Sequence, residues 1–294
     1  TMGSGIAAQV ANAGIPIYLL DISSEISQNA CEHINKSRPP LLMNENLSNL
    51  IHPGNIEDDL DHINDADWVV EAVVERIDIK RSIYKKIDAR RKSSALVSSN
   101  TSSIPLKVLS EEMSEEMKKV FCITHFFNPV RYMRLLELVI TPMNDRRKID
   151  KLKLFCDEKL GKTVVVCNDS PGFLGNRVGV YAMQVAMTEA FNLGLSVEEA
   201  DTIFGRPMGI PKTGVFGLYD LIGIDLMADV LKSFIKELPS DDPFHVVGKE
   251  HPLINKLIED GYIGRKGKGG FFRMNKDNNQ KILESLNYKT HSYH

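Results

Sequence analysis

The stretch Trp68-Val69-Val70-Glu71-Ala72-Val73 is an apolar run rich in β-branched residues, and this composition predicts a buried strand. A charged segment over residues 77–91 follows and predicts a helix, and residues 95–98 predict the next strand. Alternation of strands and helices is typical of an α/β fold built on a mostly parallel sheet.

The same alternation extends in both directions from this unit. Upstream, residues 3–13 predict a helix, residues 15–20 a strand closed by Asp21, and residues 24–38 a helix. Downstream, we expect a short helix after Pro105, strands at 119–126 and 134–140, a helix at 145–159 and a strand at 163–166. Residues 1–168 are therefore predicted to form one α/β domain.

Residues 169–294 have a different pattern. From Pro171 onward apolar residues recur at helical spacing up to Gly194, and a second long helix is predicted from about Gly217 to Leu238. We find no strand pattern here, and we expect the polar tail after Phe272 to end in disordered residues. An all-α C-terminal domain is predicted.

Composition excludes several classes of protein. The 294 residues include 36 basic and 39 acidic side chains, which are interspersed, so a nucleic-acid or membrane-surface binder is not expected. No apolar run reaches the roughly 20 residues of a membrane span, and because no basic segment followed by an apolar segment opens the sequence, we do not expect a signal peptide. The 4 cysteines are scattered, which supports neither a disulfide framework nor a metal site. We expect a cytoplasmic protein, or one of the mitochondrial matrix if the source is eukaryotic.

His125 and Glu137 are the candidate catalytic pair. His125 lies in Thr124-His125-Phe126-Phe127-Asn128-Pro129-Val130, and Glu137 lies in Leu135-Leu136-Glu137-Leu138-Val139, both of which read as buried strands. A titratable group in such a run requires a partner. A histidine can act as a general base while a carboxylate on its other nitrogen orients the ring and stabilises the imidazolium. The alternative is a histidine that is merely part of the core.

Two further segments suggest a ligand site. Ser99-Asn100-Thr101-Ser102-Ser103 follows a predicted strand, and α/β sheets bind ligands at the carboxyl ends of their strands. Met2-Gly3-Ser4-Gly5 begins a predicted helix, with Asp21 at the end of the next strand, as in a dinucleotide fingerprint. A fingerprint needs a strand before its glycines, so either these glycines belong to a small-residue helix that packs closely on the sheet, or the first strand and first glycines are missing, which is the explanation that we expect. Asp21 could alternatively be a helix cap.

At this point the chain resembles the L-3-hydroxyacyl-CoA dehydrogenases of fatty-acid β-oxidation, over residues 1 to about 272. The motifs that carry the resemblance occur in the family's order. They are Thr1-Met2-Gly3-Ser4-Gly5, residues 69–75, residues 100–103, residues 125–130, Glu137, Asp169-Ser170-Pro171-Gly172-Phe173, Asn176-Arg177 and Gly205-Arg206-Pro207-Met208-Gly209.

The resemblance implies a Rossmann-like NAD-binding domain over residues 1–168 and a helical substrate and dimerisation domain over residues 169–294, with the active site in the cleft between them. It implies oxidation of a 3-hydroxyacyl-CoA thioester to a 3-ketoacyl-CoA, with NAD as cofactor. By the family pattern, His125 takes the hydroxyl proton and Glu137 orients it, and Ser102 and Asn176 bind the substrate. The implied cofactor-binding residues are Gly3, Asp21, Glu75, Lys80, Asn100, Ser102 and Asn128.

Several alternatives stay open. Ser102 and Asn100 could be loop caps, Asn176 a packing contact, and Glu75 with Lys80 a solvated pair. The chain could be a non-catalytic truncated remnant of the family, or a dehydrogenase for a small hydroxy acid or sugar acid. It could also be a piece of a longer multifunctional protein. A homodimer through the helical domain is expected by resemblance.

Overall fold

A computed structural model describes residues 2–210, 212–277 and 280–294. The chain divides into two compact units, residues 1–174 and 175–294. The boundary that we predicted from the sequence, after Asn168, lies six residues before this division. Within the described ranges, no helix has the length and apolar character needed to cross a membrane.

A five-stranded sheet forms the centre of the first unit. Its strands lie in chain order and are β3 (Trp68–Glu71), β4 (Leu96–Ser99), β5 (Phe121–Phe126), β6 (Leu135–Val139) and β7 (Thr163–Cys167). Three of the four pairings are parallel, and β5 pairs with β6 in the antiparallel sense. The predicted mostly parallel sheet is confirmed, and its single antiparallel pairing is the one that carries His125 and Glu137.

A second, two-stranded parallel sheet precedes it in the chain. It pairs β1 (Ile17–Asp21) with β2 (Ile51–Asn55). We did not predict β2, because its sequence Ile51-His52-Pro53-Gly54-Asn55 contains two residues that are unfavourable in strand interiors. The flanking helices are α1 (Met2–Asn12) and α2 (Ser24–Lys36). The hydroxyl of Ser23 caps α2 by accepting a hydrogen bond from the Ile26 N–H.

Helices cover the five-stranded sheet and close the core of the first unit. They are α3 (Ile77–Asp88), α4 (Leu106–Ser110), α5 (Glu115–Val120) and α6 (Arg146–Glu158). In α3 and α6 the buried residues recur at helical spacing, so each helix turns one face toward the sheet. Strand residues on β4, β5 and β6 are almost completely buried, and this burial identifies the core: Val97, Phe121, Ile123, Leu138 and Val139.

The second unit is largely helical, as predicted. Its helices are α7 (Gly175–Leu193), α8 (Val197–Ile203), α9 (Phe216–Ile222), α10 (Ile224–Glu237), α11 (Phe244–Val247) and α12 (Pro252–Glu259). The long helix predicted from Gly217 to Leu238 is two helices, because Gly223 between them has a φ of 112°, which no helix tolerates. Buried side chains from these helices form a separate core that includes Phe216, Leu231 and Phe234.

The prediction that the second unit contains no strand was wrong for its C-terminal part. An antiparallel sheet joins β8 (Phe272–Asp277), β9 (Gln280–Asn287) and β10 (Ser292–Tyr293). Its connection to the helices is a buried carboxylate, because Asp220 of α9 accepts hydrogen bonds from the N–H groups of Phe271 and Phe272 at 2.8 and 2.7 Å. Residues 273–277 and 280–294 are therefore ordered by strand pairing and by this anchor, and the prediction of a disordered end was wrong for His291 and His294, while residues 278–279 lie outside the described residues.

Lys162 stabilises the turn between β5 and β6 from inside the first unit. Its side chain is buried, and its ammonium donates hydrogen bonds to the carbonyl oxygens of Val130 and, at 2.8 Å, of Met133. Burial lowers the pKa of Lys162 to about 8. The turn that follows His125 is thus held by a buried amine whose charge changes in mildly alkaline solution.

We predict a pH-dependent stability from Lys162. Because its pKa is about 8 in the folded protein and about 10.4 when unfolded, the unfolded chain binds more protons between these values, so Lys162 adds stability as pH rises through this range. Between pH 7.5 and 9.5, the free energy of unfolding of the wild type should rise by about 1–3 kcal/mol more than that of Lys162→Met. Urea denaturation measures it, with the exposed Lys159→Met as control. A wild-type-minus-variant difference that stays constant with pH would contradict the prediction.

Candidate active site

The antiparallel pairing of β5 with β6 places His125 directly opposite Glu137. The two groups touch, with His125 Nδ1 and Glu137 Oε2 separated by 2.6 Å, and their side chains are 7% and 0% exposed. At this distance the carboxylate accepts the Nδ1 hydrogen, which leaves Nε2 as the nitrogen that can accept a proton. The pair has the arrangement of a general base and its orienting group.

The second oxygen of Glu137 is also held in place. The N–H of Leu174 donates to Oε1 at 2.8 Å, and the thiol of Cys167 lies 3.9 Å from the same atom. Burial, followed by the charge of Glu137, raises the pKa of Cys167 to about 11, so this thiol stays protonated and acts as a weak donor. The carboxylate therefore cannot rotate away from His125 without losing these contacts.

Two aromatic rings flank the imidazole. The ring centroids of Phe127 and Phe173 lie 4.6 and 5.6 Å from that of His125. Phe173 has a φ of 50°, a left-handed conformation that is unfavourable for a bulky side chain, and it is nevertheless buried. The strained conformation places the Phe173 ring against His125 and the next backbone N–H, that of Leu174, on Glu137.

The loop after β4 contacts the strand that carries His125. The side-chain oxygen of Asn100 accepts a hydrogen bond from the N–H of Phe126 at 3.0 Å, so it ties the end of β4 to the residue after the histidine. Ser102 is exposed in this loop, and its N–H donates to Glu75 at 3.1 Å. Asn128 is exposed in the turn that follows β5.

The interpretation of Glu75 and Lys80 as a solvated pair was wrong for Lys80. Its side chain is 1% exposed and lies between two carboxylates, 2.8 Å from Glu71 and 3.2 Å from Glu75. Burial opposes ionisation of Glu75, but the hydrogen bond from Thr101 and the charge of Lys80 hold the pKa of Glu75 below its ordinary value. Glu75 is therefore an ionised acceptor beside the Ser102 loop.

Asp21 and Gly3 lie on the smaller sheet and on α1. Asp21 ends β1, and its carboxylate accepts a hydrogen bond from the adjacent Ile22 N–H at 2.8 Å. The alternative that Asp21 caps α2 was wrong, because Ser23 is the cap. Gly3 lies in the first turn of α1, where an added Cβ would sit 3.8 Å from Ala72 Cβ and 3.9 Å from Leu19.

These groups fit the adenosine end of a dinucleotide. A carboxylate at the end of a strand can accept the two ribose hydroxyls, and the first turn of a helix presents N–H groups to phosphate.

A Cβ on Gly5 would sit 2.8 Å from Val130, so α1 approaches the turn after β5 closely at this glycine. Asn176, the remaining predicted site residue, lies in α7 of the second unit.

Sequence reasoning missed Glu71, Phe173 and Leu174. Glu71 is a charged residue inside an apolar run, which is the same signal that singled out Glu137, and it could have been found by that rule. The Leu174 contact comes from a backbone N–H, and such contacts leave no trace in side-chain identity. The strain at Phe173 was likewise not visible in the sequence.

Comparison with known proteins identifies two family domains. Residues 1–170 match the family model of the 3-hydroxyacyl-CoA dehydrogenase NAD-binding domain, and residues 172–274 match that of the 3-hydroxyacyl-CoA dehydrogenase C-terminal domain. The (S)-3-hydroxybutyryl-CoA dehydrogenase PaaH1 of Ralstonia eutropha has a similar structure, with a TM-score of 0.79 and 29% identity over 92% of this chain and 94% of that one.

Two relatives differ in how much of their length the chain spans. A Rickettsia felis protein described as a fatty acid oxidation complex trifunctional enzyme is 43% identical over 99% of this chain, which spans only 42% of that relative. A Deinococcus radiodurans protein described as a 3-hydroxyacyl-CoA dehydrogenase is 37% identical over 94% of this chain and 81% of its own length. The chain belongs to the 3-hydroxyacyl-CoA dehydrogenase family.

Proposed function

We propose that this protein oxidises L-3-hydroxyacyl-CoA thioesters to 3-ketoacyl-CoA, with NAD as the hydride acceptor, as a step of fatty-acid β-oxidation. The observation that carries the proposal is the buried contact of 2.6 Å between His125 Nδ1 and Glu137 Oε2. Membership of the family supplies the reaction class and the cofactor.

The chain's own contribution is proton transfer and orientation. His125 Nε2 removes the proton of the substrate 3-hydroxyl group, and the Nδ1 hydrogen remains on its bond to Glu137, whose charge stabilises the imidazolium. NAD, when bound, supplies the acceptor for the hydride that leaves C3. The alcohol thereby loses one proton to His125 and one hydride to the cofactor and becomes a ketone.

The family resemblance assigns further residues to the substrate and to the cofactor. We assign Ser102 and Asn176 to the oxygen atoms of the substrate, and Gly3, Asp21, Glu75, Lys80, Asn100, Ser102 and Asn128 to the cofactor side, as the resemblance implies. The exposure of Ser102 and Asn128 supports roles in contacting a ligand. Asp21 at the end of β1 supports NAD over NADP, because its charge repels a 2′-phosphate.

The intact geometry of the pair favours catalysis over the alternative of a non-catalytic remnant. In a site that had lost its activity, the burial of the Glu137 carboxylate and the strained backbone of Phe173 would have no function to offset their free-energy cost. No feature of the described residues favours a free hydroxy acid or sugar acid as substrate.

Replacement of His125 tests the mechanism. We expect His125→Gln to lower the turnover of acetoacetyl-CoA with NADH by about 10² to 10⁴, because the proton donor of the reverse reaction is lost. Glu137→Gln should also lower turnover, since an amide neither charge-balances nor correctly orients the imidazole. Steady-state kinetics measures both, and NADH affinity from calorimetry should stay unchanged.

The matched control is His33→Gln, which replaces an exposed histidine of α2. Wild-type turnover by the His125 variant would rule out the mechanism. Failure of the wild type to bind NADH at millimolar concentration would instead favour the remnant.

Replacement of Asp21 tests the cofactor assignment. We expect Asp21→Ala to weaken NADH binding by about 10- to 100-fold, because hydrogen bonds to a charged group are lost, and to reduce the preference for NADH over NADPH. Titration of the two cofactors measures both effects. Glu25→Ala, which removes an exposed charge from α2, should leave the preference unchanged. An unaltered ratio of the two affinities in the Asp21 variant would contradict the assignment.

We also propose a homodimer formed through the second unit. Support comes from large apolar side chains exposed around the junction of α9 and α10, namely Leu221, Ile222 and Leu226. Sedimentation equilibrium should then give about twice the chain mass of 33.0 kDa, and a monomer would exclude the dimer.

The free state of all four cysteines supports a reducing compartment, which we propose to be the cytoplasm, or the mitochondrial matrix in a eukaryote.

A further inference from the structure

The motif Asp169-Ser170-Pro171-Gly172-Phe173 begins with a carboxylate that the proposed reaction does not use. Asp169 follows β7 and reaches the first turn of α4, where its Oδ1 accepts the Leu106 N–H at 2.8 Å and its Oδ2 accepts the Lys107 N–H at 3.0 Å. Pro105, which precedes α4, makes no side-chain cap bond. Asp169 therefore caps α4 from a distant part of the chain.

The helix that Asp169 caps is fixed to the core of the first unit. Leu106 and Leu109 of α4 are completely buried, so the N–H groups that bind Asp169 have a fixed position relative to the five-stranded sheet. A carboxylate that accepts two successive backbone N–H groups is held in orientation as well as in position. The backbone at Asp169 is thereby tied to the core.

The backbone that follows Asp169 is strained. Gly172 and Phe173 have φ values of 72° and 50°, so two successive residues are left-handed, and the second has a bulky side chain that disfavours this region. The Phe173 N–H donates to the Ser170 carbonyl oxygen at 2.9 Å, which is a contact inside the segment. Residues in such conformations persist only where the surrounding structure holds them there.

This strained backbone lies between two points of attachment. On its C-terminal side, the Leu174 N–H donates to Glu137 Oε1 at 2.8 Å, and the buried Phe173 ring packs against His125. On its N-terminal side, Asp169 is bound to α4. Without the N-terminal attachment, the strain can be relieved by a movement that carries the ring and the N–H group away from the pair.

We propose that Asp169 is a positioning residue, which by capping α4 holds residues 170–174 in the path that places the Phe173 ring on His125 and the Leu174 N–H on Glu137. This inference rests on the proposed function. Asp169 acts through the backbone and not through contact with the reacting atoms.

The experiment compares Asp169→Ala with Asp169→Asn. Alanine removes the cap, whereas asparagine keeps a side-chain oxygen that caps helices about as well as aspartate. We expect Asp169→Ala to lower kcat for acetoacetyl-CoA reduction by about 10- to 100-fold and to change KM for NADH less than about twofold, because a small displacement of catalytic groups has a large effect on rate. Asp169→Asn should stay within about threefold of the wild-type kcat, because the cap is retained.

Hydrogen exchange follows the proposed path directly. The amide hydrogen of Leu174 should exchange faster with solvent in Asp169→Ala and at the wild-type rate in Asp169→Asn. The amide hydrogen of Ser102, which is bound by Glu75, should exchange at the wild-type rate in both variants. Faster exchange at Ser102 with unchanged exchange at Leu174 would overturn the inference, since the effect would then pass through the loop before α4.

The matched control is Asp145→Ala, which removes a cap of the same kind from α6, where the carboxylate accepts the N–H groups of Arg147 and Lys148. Both aspartates are exposed, so each alanine variant should fold with a similarly small decrease in melting temperature. The control should leave kcat and the exchange of the Leu174 amide unchanged.

Four results would count against the inference. Equal losses of kcat in Asp169→Ala and Asp145→Ala would indicate a general loss of stability, and an equal loss in Asp169→Asn would indicate a role for the charge itself. A wild-type kcat in Asp169→Ala would exclude positioning, and so would a raised KM for NADH with unchanged kcat. If the wild type shows no turnover, the proposed function fails, and exchange still tests the inference, since an unchanged Leu174 amide in Asp169→Ala would overturn it.

Discussion

The pairing of β5 with β6 is the constraint on which the proposed site depends. The register sets His125 opposite Glu137, and because side chains alternate between the faces of a strand, a slip of one residue would move one partner to the opposite face. Buried apolar residues on both strands oppose such a slip, since they too would change faces. The hydrophobic core therefore determines the geometry of the His125 and Glu137 side chains, although it takes no part in their chemistry.

Glu71 and Glu137 are two buried carboxylates in the same sheet with different partners. Both oxygens of each carboxylate accept hydrogen bonds, as a charge in a dry interior requires. The donors to Glu71 include the ammonium of Lys80, two hydroxyls and a backbone N–H, and these contacts join β3, β4 and α3. The donors to Glu137 include the imidazole of His125, whose second ring nitrogen has a lone pair that can accept a proton. In the proposed function, the chemistry of its partner therefore gives Glu137 a catalytic role, whereas the contacts of Glu71 are structural.

Much of the fold and of the central pair could be predicted from the sequence. The apolar runs around His125 and Glu137 predicted two strands with a short connection, and β5 and β6 occur there. β2 and the C-terminal sheet were not predicted, because Pro53 and Gly54 in the one and the many polar residues in the other obscure strand periodicity. Contacts that use backbone N–H groups, such as that of Leu174, depend on the path of the chain and cannot be predicted from residue identity.

Phe173 places stability and reactivity in conflict at one position. Asparagine or glycine would adopt this left-handed backbone conformation at a lower free-energy cost. Either substitution would therefore be a natural choice for raising the stability of the protein. Neither could cover the imidazole of His125 as the phenyl ring does. We therefore expect selection for activity to retain Phe173 despite its strained backbone. Screens for thermostability that do not measure turnover will tend to replace Phe173.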